Sequence, residues 1–63
     1  MIKQITKAYI RTYSDSGQTT AYVEWIDGRG KSGRTEGRPD GLHMTELFKR
    51  AVREGVKIER ERR

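Results

Sequence analysis

The chain has 63 residues, no cysteine, 37% charged and 32% apolar side chains, and a formal net charge of +5. That length makes one domain with a small core. The absent cysteines exclude disulfides and thiolate metal sites, and a single histidine leaves no structural zinc set. Nine of the fourteen basic residues are arginine, the better fork for phosphate, although solubility alone also accounts for such a balance.

Residues 5–13 are rich in β-branched and aromatic types, which suit a half-buried pleated strand. Ser14-Asp15-Ser16-Gly17-Gln18 is turn chemistry, and residues 19–26 form a second strand. Asp27-Gly28-Arg29-Gly30 makes the next hairpin turn, with Gly30 in a left-handed position. Residues 31–36 form a weaker, polar edge strand. After a loop at 37–41, a helix spans about 41–54, its stripe being Met44, Leu47, Phe48, Ala51 and Val52. Asp40 is its expected cap and Gly55 its expected stop. Val56 to Glu59 alternates as a short last strand, and residues 60–63 read as a frayed tail. The fold expected is α+β: a three-stranded antiparallel meander with one helix on one face, and a fourth strand as an optional addition.

Register decides which face stays free. With Ser14 opposite Thr19, Ile10 faces Val23 and Ala8 faces Trp25, and this more apolar side takes Leu47, Phe48 and Val52 from the helix. A three-residue loop at 28–30 sets Glu24 opposite Arg34 and Trp25 opposite Gly33, where glycine permits close approach. The open side then carries Tyr9, Tyr13 and Tyr22 among Lys7, Arg11 and Arg34. A slip of one residue would invert the assignment.

Two motifs suggest nucleotide binding and fail on context. Gly28-Arg29-Gly30-Lys31-Ser32-Gly33 matches a dinucleotide fingerprint, but no helix opens after it to meet a pyrophosphate. Gly30-Lys31-Ser32 ends like a phosphate-binding loop, but Trp25 stands where its first glycine belongs. His43 has no nucleophile or second ligand in view. Glu24, Glu36, Glu46 and Glu54 are interleaved with Lys and Arg, as ion pairs require. A chain of this size encloses little volume for a reaction, so neither catalysis nor a cofactor is expected.

What remains is binding. Arg29, Lys31, Arg34 and Arg38 make the glycine-rich stretch 28–38 basic, and glycine lets backbone approach a phosphate. A small sheet can enter a DNA groove, and tyrosines on an open face can stack bases. Lys7, Tyr9, Arg11, Tyr13, Tyr22, Arg29, Lys31, Arg34 and Arg38 are therefore the candidate nucleic-acid contacts, with DNA ahead of RNA. The order of three strands then a helix resembles small DNA-binding modules such as the arm-binding domains of some phage-type integrases. The resemblance is architectural and implies only that a sheet can lie on DNA. The alternative is a protein-interaction module using the same face: an inhibitor, an adaptor or a homodimeric accessory protein, such as those of phages and mobile elements. A homodimer is also a common way for a small domain to gain stability. No apolar run approaches a membrane span and Met1 to Ile5 holds no apolar leader stretch, so a cytoplasmic protein without membrane contact is expected.

Overall fold

The computed structural model describes all 63 residues. Strands β1 (Ile2–Thr12), β2 (Thr19–Asp27) and β3 (Ser32–Gly37) precede helix α1 (Leu42–Arg53), and β4 (Ile58–Arg62) follows it. The sheet has four strands in the order β3-β2-β1-β4. β1–β2 and β2–β3 are antiparallel, while β4 runs parallel to β1. The expected three-stranded meander is thus three strands of a mixed sheet. A parallel neighbour needs a crossover, and α1 supplies it by carrying the chain from the β3 edge across the sheet to the β4 edge. No helix is long and apolar enough to cross a membrane.

Residues 60–62, expected to fray, are paired in β4. Arg63 extends the ladder: its N–H donates to the Thr12 carbonyl, and its own carbonyl accepts from Ser14.

The hairpins follow local chemistry. Gly17 and Gly30 take positive φ of 73° and 84°, and the Asp27 carboxylate accepts from the N–H groups of Arg29 and Lys31 at 2.8 and 2.9 Å. The run that resembled a dinucleotide fingerprint is this hairpin and the start of β3. Glu24 pairs with Arg34 and Trp25 with Gly33, as expected. In the first hairpin the expected register is two residues off: Thr12 pairs with Thr19, Ile10 with Ala21 and Ala8 with Val23. A two-residue shift preserves the faces, because strand side chains repeat every two residues.

α1 starts at Gly41 with no side-chain cap hydrogen bond; Asp40, the expected cap, pairs with Arg38 instead. It ends in a Schellman arrangement, Val56 N–H on the Ala51 carbonyl and Gly55 N–H on that of Val52, with Gly55 at φ 81°. Ile5, Ala8, Ala21, Val23, Met44, Leu47, Phe48 and Ala51 form the core. Val52 was expected there too, but it is 62% exposed. Val52→Ser should therefore change stability by no more than about 0.5 kcal/mol in urea denaturation.

β1 slips register between Ile2 and Gln4 and again between Ile5 and Lys7. Strict alternation would put Ile5 on the side of Tyr9; the extra residue Thr6 returns it to the core, where it is fully buried. Both irregularities leave backbone groups without ladder partners, and the end of α1 meets them. The Glu54 carboxylate accepts from Ile5 N–H at 2.9 Å, and Arg50, bonded to Glu54 at 2.7 Å, donates to the carbonyls of Ile2 and Lys3. The Ile5 N–H, then Arg50, hold the Glu54 carboxyl below its ordinary value of 4.5. A depressed carboxylate adds stability that is fully present above its unfolded-state pKa and is lost as pH falls through the folded one. The urea midpoint should accordingly drop as pH is taken below about 4.5, and Glu54→Gln should flatten that part of the profile.

Candidate binding surfaces

The open face carries Lys7, Tyr9, Arg11, Tyr13, Tyr22 and Arg34, as register implied. Tyr9 and Tyr22, directly paired across β1 and β2, stack with centroids 4.9 Å apart and planes 29° from parallel. Lys7 lies 5.5 and 5.7 Å from the two centroids, Arg11 lies 5.4 Å from that of Tyr9, and Arg34 lies 4.2 Å from that of Tyr22. Such cation–ring contacts are individually modest when exposed. Together they cover the rings, and Tyr9 retains only 8% exposure.

The same face also gathers four carboxylates. Glu24 pairs across the sheet with Lys7 and Arg34, Glu36 with Tyr22, Glu59 with Tyr9, and Glu61 with Arg11. Arg34 bonds Glu24 at 2.7 Å and Glu36 at 3.4 Å. The Tyr9 hydroxyl donates to Glu61, and Arg11 reaches the hydroxyls of Tyr13 and Tyr9 at 3.3 and 3.4 Å. Glu24, then Glu36, raise Arg34 further above the ordinary guanidinium value, and Tyr22, with Glu59 and Glu24 behind it, raises the Lys7 ammonium. Lys7, Arg11, Arg34 and Arg63, which bonds Glu61, face four carboxylates, so this surface is close to balanced in charge and not a basic one.

The basic stretch 28–38 divides into three places. Arg29 and Lys31 sit exposed at the hairpin tip with no ion pair, beside Lys3 in one shallow depression. Arg34 belongs to the open face. Arg38 lies beyond β3, 3.6 Å from Asp40.

A third surface lies on the helix side, where α1 covers β4 only in part. Ile10, Phe48, Val52 and Ile58 form the floor of a cleft, Lys49, Arg53 and Arg60 stand around it, and no carboxylate lines it. Arg60 and Arg53 make no ion pair, and Lys49 has only the exposed Glu46 at 3.8 Å. Arg53, Arg60 and Arg62 were not among the expected contacts: Arg53 is one charge on a helix, and 57–63 holds four basic and two acidic residues, a mixed run by composition. Strand alternation sorts it: Glu59 and Glu61 share the face of Tyr9 and Arg11, whereas Ile58, Arg60 and Arg62 share that of Ala8, Ile10 and Thr12. Period two in Ile58-Glu59-Arg60-Glu61-Arg62 was the available signal.

His43 is exposed in the first turn of α1, and no group of three or more His, Cys, Asp or Glu side chains is placed to hold a metal ion. No family model, curated protein or solved structure matches the chain.

Proposed function

We propose that this protein is a non-catalytic module that binds another protein, through its helix side and not through the tyrosine face. One observation carries the reading. On the tyrosine face Arg34 and Arg11 pair with carboxylates of that same face and Lys7 stands opposite Glu24, while the cleft between α1 and β4 combines uncovered apolar surface with cations that have no buried partner. Aliphatic floor gains nothing from phosphate and much from apolar side chains of a partner.

Nucleic-acid binding is the second reading, supported by Arg29, Lys31 and Lys3 clustered at the hairpin end. The two separate in a salt-titrated shift assay on duplex and single-stranded DNA and on RNA. Protein binding predicts only weak retention that vanishes near physiological salt. Tight retention with a steep salt slope, about 0.9 log units per log salt for each phosphate neutralised on duplex DNA, and its loss in a combined Arg29→Gln, Lys31→Gln variant, would overturn it in favour of nucleic acid.

A further inference from the structure

We propose that the cleft between α1 and β4 docks an acidic amphipathic helix from a partner protein; this rests on the protein-binding reading above. The argument begins with dimensions. Strands lie about 4.8 Å apart and a helix with its side chains is about 10 Å across, so a four-stranded sheet has room for roughly two helices on one face. This sheet carries one. Toward β3 the remaining width is filled from within: the Trp25 ring lies on Gly33, with its indole N–H bonded to Thr35 at 3.0 Å. Toward β4 it is filled only in part. Ile10 and Ile58 are only half buried, and Val52 on the flank of α1 is exposed.

The vacancy selects its occupant by charge. Lys49, Arg53 and Arg60 stand around the aliphatic floor with no carboxylate among them, and Arg62 continues the row along β4. An incoming helix therefore needs an apolar stripe flanked by Asp or Glu. A second copy of this chain fits poorly. The exposed flank of its own α1 presents Lys49 and Arg53, which would meet the same residues. Strand pairing along the β4 edge is also obstructed. The hydrogen bonds of Arg63 to β1 fix the alternation, so the outward backbone groups belong to Ile58, Arg60 and Arg62. Opposed residues of an antiparallel pair share hydrogen-bonding status, so two such edges meet with Arg60 against Arg60 and Glu59 against Glu61, or, two residues along, with Arg60 against Arg62 and Glu61 against Glu61. Like charges directly opposite are unfavourable.

The test uses the full chain and three synthetic 15-residue helical peptides with one shared leucine stripe, flanked by Glu, Gln or Lys. Affinity is read by fluorescence anisotropy and location by backbone amide shifts. The Glu peptide should bind about tenfold or more tighter than the Gln peptide, and the Lys peptide not at all. Shifts should centre on Ile10, Val52, Ile58 and Arg60. Val52→Ser should weaken the Glu peptide about tenfold, the worth of one aliphatic contact. A combined Arg53→Gln, Arg60→Gln variant should bring Glu and Gln peptides close to equal affinity and remove the salt dependence. Circular dichroism checks that both variants stay folded.

Equal affinity for Glu and Gln peptides in the wild-type chain overturns the acidic selection and leaves the docking site standing. Binding that shifts Tyr9 and Tyr22 in place of the cleft overturns the site and leaves protein binding standing. No peptide binding overturns the docking proposal, and if DNA or RNA then shifts the cleft amides, the protein-binding reading falls with it.

Discussion

Ile5→Ala is expected to lower the free energy of unfolding by about 2–5 kcal/mol, the range for truncating a fully buried isoleucine. Domains hold about 0.05–0.15 kcal/mol per residue, about 3–9 kcal/mol for a chain of 63 residues, and a core this small belongs at the lower end. The variant should therefore be partly unfolded at room temperature in the absence of denaturant. The effect is large because Ile5 does two things at one position. Its side chain is fully buried in the core, and its N–H, released from the ladder by the irregularity at Thr6, is held by Glu54. Ile5→Val keeps the branch and most of the volume and should cost about 0.5–1.5 kcal/mol. Urea denaturation followed by circular dichroism measures both. An Ile5→Ala midpoint near that of the wild-type chain would show that the β1 irregularity does not anchor the core.

Gly33→Ala is expected to destabilise by about 1–3 kcal/mol, the cost of overpacking a well-filled site. A Cβ at position 33 would stand 2.5 Å from Cζ2 and Cη2 of Trp25, well inside van der Waals contact. The indole is not free to swing away without loss, since its N–H is bonded to Thr35. Either the ring leaves the sheet or β3 moves outward. Trp25 is the only tryptophan, so its emission reports the outcome: a red shift in the folded variant marks the ring's exit. Unchanged emission together with unchanged stability would mean that the ring does not rest on Gly33.

Much of this architecture was legible in the sequence, and the parts that were not have physical causes. The β2–β3 register follows from Asp27-Gly28-Arg29-Gly30, whose turn chemistry permits one loop length, and the end of α1 follows from Gly55. The first hairpin is ambiguous by two residues because Ser14 to Gln18 is all turn-forming, yet a two-residue slip keeps Tyr9, Tyr13 and Tyr22 on one side, so the face was found from the wrong register. The irregularities of β1 leave no local mark, since Thr6 and Lys7 are unremarkable strand residues. β4 was expected only as an optional strand at 56–59 and forms at Ile58–Arg62, because pairing with β1 is a long-range event across the whole chain, whereas the composition of 57–63 reports only charge. That difference had the largest consequence. Without β4, neither the carboxylates that quiet the tyrosine face nor the cations around the cleft have a place, and the basic surface is sought on the wrong side.

The two-residue link Val56-Lys57 between the helix stop and β4 sets a constraint on chain length. One residue inserted or deleted there would turn every β4 side chain over. Ile58 would leave the core side, Glu59 and Glu61 would enter the cleft, and Arg60 and Arg62 would press on Tyr9 and Arg11. Both surfaces would change sign together, with no change in composition apart from the single residue. The spacing between Gly55 and Ile58 thus fixes which charge each surface carries, and its length cannot change by one residue without exchanging them.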